Sequence, residues 1–304
     1  MNRIINYTIS ENDKNKTIII YLRERFYSSK MLTHLKHTDG AVLLNNVPVF
    51  MNTQLKAGDN LQINYEENDA SENIIPVNLP FETIYEDEDI IVINKPYDMP
   101  VHPAINNFDN TLANGLTYYF NSKGEDLVFR CINRLDRNTS GLLVVAKNRL
   151  SASILSDFMK KREIHREYLA IVSGHFDDKS GTVDVPIGRV SDSIIERFVD
   201  YENGDKAITH YEVIGEYVVK DDNRDVPCSL LKIKLDTGRT HQIRVHMKHI
   251  GHPLIGDSLY NKEPGPLKRQ ALHSHKLDFI HPVTLKEMHF ENPLPEDISW
   301  IINE

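Results

Sequence analysis

The feature that most constrains the fold is a set of short apolar runs, each stopped by a proline or a polar turn. DIIVINKP (residues 89–96), GLLVVAKN (141–148) and CSLLKIKLD (228–236) are too short for long helices and have the composition of buried strands. Further strands are predicted in EYLAIVSG and AITHYEVIGEY, with helices in 151–164 and 240–250. Many strands with few helices predict an α+β fold with a mixed, largely antiparallel sheet rather than a doubly wound one.

The beginning of the chain has a pattern of its own. Apolar periodicity predicts helices in 17–26 and 28–37, and two short strands follow in AVLLNNVPVF and NLQINY. Residues 66–80 are polar, acidic and proline-bearing, as linkers often are. We therefore predict a small α/β domain over residues 1–65, an acidic linker over 66–80 and a larger domain over 81–304.

The charge of the chain is unevenly distributed. The net charge is −9, but residues 66–92 alone contain nine acids and no Lys or Arg. Residues 238–276 contain seven Lys/Arg against two acids, and six histidines. A basic face that binds a polyanion is therefore compatible with the acidic total.

Cysteine content and hydropathy indicate the compartment. Two cysteines are too few for a disulfide framework, which favours a reducing environment. The first residues have no apolar core of signal-peptide length, and no window approaches the length of a membrane span. We expect a cytoplasmic protein with no membrane contact, and no glycine-rich phosphate loop indicates a nucleotide cofactor.

One short stretch, NRLDRNTSGLLVVAKN (133–148), places a carboxylate between two cations. Asp136 lies between Arg134 and Arg137, just before an apolar run. A loop aspartate can simply bond its neighbouring backbone. Alternatively, the two cations keep Asp136 ionised, and a positioned carboxylate can act as a nucleophile or base. The local sequence leaves both interpretations open.

A wider resemblance favours the second interpretation. The stretch resembles the signature of the RluA/RluD-type RNA pseudouridine synthases, whose H-R-L-D-x-x-T-S-G-L motif carries the catalytic aspartate. The similarity continues in the family's order through YEDEDIIVINKPYDMPVHP, REYLAIVSG, LDTGRTHQIRVHMKHIGHPLIGDSLY and ALHSHKLDFIHPVT, over about residues 80–295. Residues 17–65 resemble, in more degenerate form, an RNA-binding domain of the ribosomal-protein S-four type.

The resemblance implies a function. It implies a pseudouridine synthase fold and an isomerase that converts uridine in RNA to pseudouridine without a cofactor. The small first domain favours ribosomal over transfer RNA as substrate. No obligatory protein partner is evident.

The resemblance also implies roles for particular residues. Asp136 would be the essential carboxylate, although attack on the anomeric carbon and removal of a neighbouring sugar proton both remain open. Arg239 would pair with it, Tyr168 would lie against the uracil, Arg134 would help to flip the nucleotide and Ile243 would close the pocket.

Phosphate contacts are expected from basic side chains in the second half of the chain and in the small domain. These are Arg244, Lys248, Lys268 and Arg269, assisted by Arg25, Lys30 and Lys36. One residue departs from the family: Asn133 stands where histidine is usual. We expect this change to alter RNA contact or local packing rather than to abolish turnover.

Closely spaced histidines suggest a different class of protein, a metal-dependent hydrolase. His246, His249 and His252 are spaced by three, and His241 is near them. However, Gly251 and Pro253 should end the helix near residue 250, and no H-E-x-x-H pattern accompanies the histidines. We predict no metal site.

A noncatalytic RNA-binding factor is a further alternative. The acidic total and Asn133 are compatible with it. The presence of Asp136, Tyr168 and Arg239 together argues against it, because loss of catalysis should have allowed these residues to change.

Overall fold

Two sheets and the helices packed on them organise the chain in a computed structural model. The structure describes residues 2–66, 74–104, 107–190, 193, 195–221 and 224–302.

The first sheet belongs to the N-terminal unit (residues 2–66). Its strands pair in the order β1-β4-β2-β3, all antiparallel. The helices and strands predicted for this part are confirmed, whereas the first strand was not predicted. The elements are β1 (Asn2–Thr8), α1 (Ile18–Glu24), α2 (Ser29–His37), β2 (Val42–Leu44), β3 (Val47–Pro48) and β4 (Asn60–Glu66).

The second sheet contains ten strands. Eight follow the order β10-β13-β14-β9-β15-β8-β6-β5, with β16 paired to β15 and β7 paired to β8. Its strands are β5 (Glu82–Glu86), β6 (Ile90–Lys95), β7 (Arg130–Cys131), β8 (Ser140–Ala146), β9 (His165–Ser173), β10 (Ser180–Asp184), β13 (Ile208–Asp221), β14 (Arg224–Leu235), β15 (Leu272–Ile280) and β16 (Glu287–Glu291). The pair β8–β15 is parallel, and the other pairs between its described strands are antiparallel. The predicted α+β fold with a mixed, largely antiparallel sheet is confirmed.

A short hairpin, four α-helices and two 3₁₀ helices (Glu11–Asp13 and Trp300–Ile302) complete the described fold. The hairpin is β11 (Ile187–Arg189) with β12 (Arg197–Val199). The helices are α3 (Leu112–Ser122), α4 (Arg149–Lys161), α5 (Gln242–His249) and α6 (Glu296–Ser299). Both helices predicted for the larger domain, α4 and α5, are present, and no described helix is long and apolar enough to cross a membrane.

Strand β8 shows why the apolar runs become strands of a sheet covered on both faces. All seven of its residues are buried. Successive side chains of a strand point to opposite faces, and here the two faces meet different cores. Leu142 and Val144 pack into the core that contains α4 and the N-terminal unit, whereas Leu143 and Val145 pack into the core that contains α3 and α5. The continuous apolar sequence is the signature of this double burial.

The N-terminal unit is joined to the large sheet by both charge and packing. Arg3 in β1 donates two hydrogen bonds to the carboxylate of Asp89, each 2.9 Å long. The ring of Phe26 meets Phe158 of α4 edge to face at 4.7 Å between centroids. Much of the predicted linker, residues 67–73, lies outside the described residues. Beyond it, the carbonyl of Ile75 accepts a hydrogen bond from Asn114 of α3 (2.7 Å).

The closely spaced histidines do not converge on a common point. His246 is buried and bonds to Thr209 and to the carbonyl of Val185. His252 bonds to the carbonyl of Ser173, and His249 is exposed. Helix α5 ends at its C-cap residue 250, as predicted. These rings do not come together in a group with metal-ligand geometry among the described residues.

Among the described residues, one group has the geometry to hold a metal ion: Asp87, Asp89 and His281. Its members are already bonded to protein groups. The ring of His281 bonds to Asp87 (2.8 Å), and Asp89 pairs with Arg3.

Buried neutral histidines should make the fold sensitive to acid. Burial lowers the pKa of His246 and of His273 to about 4, from 6.5. Between pH 6.5 and 4 the unfolded chain therefore binds protons that the native state does not. The free energy of unfolding should fall as the pH is lowered through this window, by up to about 1.4 kcal/mol per pH unit for each imidazole. We expect denaturant unfolding of His246→Gln to show a shallower pH slope than the wild type.

An exposed histidine on another helix, α2, supplies the control. His37→Gln should keep the wild-type slope. Equal slopes in the wild type and in His246→Gln would show that His246 is not held neutral by the fold.

Candidate active site

A pocket of about 750 Å³ opens beside the loop between β7 and β8. Its walls also come from residues 100–104, strand β9 and the segment from the end of β14 into α5. The sequence-predicted residues that line it are Arg134, Asp136, Tyr168, Arg239, Ile243 and Arg244. The fold thus brings together residues that lie more than one hundred positions apart in the sequence.

A buried lysine, Lys95, holds the loop that carries Asp136 through hydrogen bonds to backbone carbonyls. Lys95, at the end of β6, donates to the carbonyls of Arg137 (3.0 Å), Met99 (2.8 Å) and Pro96 (2.7 Å). Burial lowers the pKa of Lys95 to about 7. The amine contacts three carbonyl oxygens, and Lys95 thereby ties the loop after β6 to the Asp136 loop.

A buried arginine anchors the other end of the same loop. Arg269 pairs through two nitrogens with Asp297 (2.6 and 3.0 Å) and donates to the carbonyl of Asn138 (3.0 Å) and to Ser140 Oγ (3.2 Å). The prediction that Arg269 contacts RNA phosphate is wrong, because its guanidinium is buried and committed to these partners. It supports the Asp136 loop instead.

The unusual Asn133 also supports this loop. Its side chain is buried, with the residue 2% exposed. Its Oδ1 accepts from the Val144 amide (2.9 Å), and its Nδ2 donates to the Leu142 carbonyl (3.3 Å). The amide bridges the loop to β8, and the expected effect of the exchange for histidine stays a prediction.

The glycine of the motif is required by the close approach of two paired strands, β8 and β15. Gly141 has φ +110°, and a Cβ there would collide with the backbone of Ser274 in β15. Only glycine accommodates both conditions. The close approach allows β8 and β15 to pair in parallel directly behind the Asp136 loop.

The partner of Asp136 is Arg244. Nη1 of Arg244 lies 3.3 Å from Oδ2 of Asp136, while its Nε and Nη2 bond to Asp257 at 2.7 and 2.8 Å. The side chain of Arg244 is 8% exposed and that of Asp136 24%. One guanidinium therefore neutralises two carboxylates, and the prediction that Arg244 contacts phosphate is wrong because the group is enclosed.

The prediction that Arg239 pairs with Asp136 is also wrong. Arg239 precedes α5, and its side chain is directed to Asp205 (3.2 Å) and to the carbonyl of Lys206 (3.1 Å). It is 43% exposed at the pocket wall. Arg244 lies in the first turn of α5, which faces the Asp136 loop. Both arginines belong to one motif, and the position of the helix start decides which of them reaches the carboxylate.

Tyr168 and Ile243 form buried apolar walls of the pocket. Each is 4% exposed. Burial raises the pKa of Tyr168, so its hydroxyl remains protonated at neutral pH. Arg166, two residues earlier on β9, also lines the pocket, and its buried Nε finds no hydrogen-bond partner among the described residues. Arg166 opens the stretch REYLAIVSG but was not predicted as a site residue.

The remaining predicted phosphate contacts lie at the surface. Lys248, Lys268, Lys30 and Lys36 are exposed, as is Arg134 at the pocket. Arg25 is less available: its guanidinium lies 3.6 Å from the ring centroid of Tyr21 and 3.9 Å from Asp13. Their contacts with RNA stay predictions.

Comparison with known proteins places the chain in a family. The family model described as RNA pseudouridylate synthase matches residues 89–249, the region that includes Asp136, Tyr168 and Arg244. The chain belongs to this family. It is therefore an isomerase of the kind that converts uridine in RNA to pseudouridine.

Individual pseudouridine synthases match nearly the whole chain. The uncharacterized RNA pseudouridine synthase YjbO of Bacillus subtilis is 42% identical over 94% of this chain and 98% of its own. Ribosomal large subunit pseudouridine synthase D of Escherichia coli K12 is 36% identical over 97% and 92%. Among solved structures, human RNA pseudouridylate synthase domain containing 1 aligns with a TM-score of 0.58 and 30% identity, over 70% of this chain and 83% of its own.

Replacement of the two arginines should distinguish their roles in this pseudouridine synthase. Arg244→Gln leaves Asp136 and Asp257 without their cation, and we expect it to lower the free energy of unfolding by about 3–5 kcal/mol. Arg239→Gln breaks an exposed pair and should cost less than about 1 kcal/mol. Denaturant unfolding of both variants measures the difference. Equal losses of stability would contradict the assignment of Arg244 as the shared partner.

Replacement of Asn133 should test the bridge between the loop and β8. Asn133→Asp exchanges a donor for a second acceptor opposite the Leu142 carbonyl, and we expect a loss of about 2–4 kcal/mol in stability. Asn133→His retains one donor and one acceptor and should fold with synthase activity within about tenfold of the wild type. If Asn133→Asp were as stable as the wild type, the side chain would not support the loop.

Proposed function

We propose that this chain isomerises specific uridines of ribosomal RNA to pseudouridine in the cytoplasm, without a cofactor and with Asp136 as the essential carboxylate. The observation that carries the proposal is the pairing of Asp136 with Arg244 inside the pocket that Tyr168 and Ile243 also line. The guanidinium of Arg244 balances the negative charge of Asp136 and restricts the position of its carboxylate.

The chemistry needs a carboxylate but no redox group. The reaction breaks the carbon–nitrogen glycosidic bond of a uridine and joins the same sugar to a carbon of the same base. As a carboxylate, Asp136 can attack the anomeric carbon or remove a neighbouring sugar proton. The pocket volume of about 750 Å³ is in the range of small-molecule sites and allows the base to turn while it is held. Apolar walls limit competition from water.

The uridine must leave its stack before it enters the pocket. Extrusion of a base costs on the order of a few kcal/mol, and a planar side chain in the vacated place offsets part of this cost. Arg134 is exposed, lies two residues from Asp136 and lines the pocket. It is therefore suited to this role, while Tyr168 supplies a ring for the extruded uracil to pack against.

The electrostatics of the pocket suit a polyanion. Five arginines and two aspartates line it, although the whole chain carries a net charge of −9. Exposed Lys248 and Lys268 extend the positive charge on the large domain, and Lys30 and Lys36 do so on the N-terminal unit, which we assign to RNA binding. The name of the Escherichia coli relative, a ribosomal large subunit synthase, supports ribosomal RNA as the substrate.

Removal of the carboxylate charge tests the proposal. Pseudouridines should be mapped by mass in ribosomal and transfer RNA from cells that carry the wild type, no protein or Asp136→Asn. We expect one or a few ribosomal sites to be absent from both the deletion and the mutant. With purified protein, Asp136→Asn should lose at least about a thousandfold in rate, the scale seen when an essential group is removed.

An exposed aspartate provides the matched control. Asp157→Asn, on the surface of α4, should restore every site. An Asp136→Asn strain with the wild-type map would show that the carboxylate is dispensable. Lost transfer-RNA sites with intact ribosomal ones would overturn the assigned substrate.

A further inference from the structure

A histidine stands beside the carboxylate of Asp136 in a strained backbone conformation. His241, the N-cap residue of α5, has φ +58° and ψ +18°, in the left-handed region. A residue with a Cβ pays about 1–2 kcal/mol there. Its side chain is 10% exposed, and its Nε2 lies 3.9 Å from Oδ2 of Asp136. Backbone strain of this kind clusters at functional sites, which indicates that the position of the His241 imidazole has a function.

A neighbouring tyrosine determines which ring nitrogen carries the proton. The hydroxyl oxygen of Tyr260 accepts a hydrogen bond from the backbone amide of Arg197 in β12 (2.9 Å) and lies 2.8 Å from Nδ1 of His241. Tyr260 is buried, so its own proton needs an acceptor. All three groups are satisfied when the hydroxyl donates to Nδ1. The proton of a neutral His241 is then on Nε2, the nitrogen that faces Asp136.

Two donors therefore face the same carboxylate oxygen. Nη1 of Arg244 is 3.3 Å from Oδ2 of Asp136, and Nε2 of His241 approaches that same atom. For both side chains, the nearest contact on Asp136 is with Oδ2. Arg244 supplies the positive charge, whereas a neutral imidazole can direct the carboxylate without adding a second charge that would weaken it as a base or nucleophile.

We propose that His241 is a positioning residue for the pseudouridylation reaction: its Nε2–H holds one oxygen of Asp136 against the pocket wall and so presents the other to the ribose. The inference rests on the proposed role of Asp136. The distance of 3.9 Å is longer than a hydrogen bond, and such contacts commonly tighten when substrate fills the site.

The neutral state of His241 depends on the groups that surround it. Burial lowers the pKa of His241; Arg244 and Arg197 also lower it, whereas Asp136 and Asp257 raise it. The hydrogen bond from Tyr260 to Nδ1 further favours the neutral ring. Protonation would place an imidazolium next to Asp136 and reduce the reactivity of the carboxylate.

The proposal is tested by the rate of pseudouridine formation under single-turnover conditions. The substrate is the mapped ribosomal RNA segment, and the rate is measured from pH 5 to pH 8. Tyr260→Phe should bind RNA normally, and its acid limb should move to higher pH by about half to one unit. His241→Gln keeps an amide donor and cannot titrate, so it should remain within about tenfold of the wild type and lose any acid limb due to His241. His241→Ala should be slower than His241→Gln by about tenfold.

Matched surface variants separate these effects from general damage. Tyr118→Phe on α3 and His289→Gln on β16 remove the same groups at exposed positions and should keep the wild-type profile. If Tyr260→Phe fails to fold, the comparison of His241→Gln with His241→Ala decides alone.

Two results would overturn the inference. One is a His241→Ala rate within twofold of the wild type across the whole pH range. The other is a loss confined to RNA affinity, with an unchanged rate in the bound complex, which would make His241 an RNA contact. A wild-type protein that forms no pseudouridine would instead refute the proposed function itself.

Discussion

A carboxylate that lines an enclosed pocket needs a cation fixed beside it to balance its charge, and this requirement shapes the site. Arg244 meets it while paired through two nitrogens with Asp257, whose side chain is fully buried. The second carboxylate fixes the guanidinium in one orientation, so the approach of Nη1 to Asp136 does not depend on a flexible side chain. The start of α5, the turn that holds Asp257 and the Asp136 loop are thus mutually dependent.

Support for the Asp136 loop comes from several separate elements. Lys95 reaches it from β6, Asn133 bridges it to β8, and Arg269 links it to Asp297 near the end of the chain. Polar groups inside a protein stabilise it only when they are fully paired. Here the pairing also keeps the carboxylate in a fixed position, which is what an active site needs from its surroundings.

The sequence predicted what depends on local pattern and missed what depends on long-range pairing. The apolar runs of β6 and β8 indicate burial on both faces of the sheet, and the motif around Asp136 indicates its role. Strand β1 was missed because its polar and apolar residues alternate weakly and its partner β4 is distant. Arg269 looks like a surface cation, yet its partner Asp297 lies 28 residues further on. The pairing of Asp257 with an arginine could have been predicted, because Asp257 is one of only two acids in the basic segment 238–276.

The joint between the N-terminal unit and the large sheet has a consequence for synthesis on the ribosome. Arg3 finds its partner Asp89 only after 86 residues, and Phe26 packs on a helix residue, Phe158, that is made 132 residues later. At roughly 5–20 residues per second, the nascent unit exposes this apolar and charged surface for on the order of ten seconds. The N-terminal unit therefore finishes its packing only after residue 158 has been made.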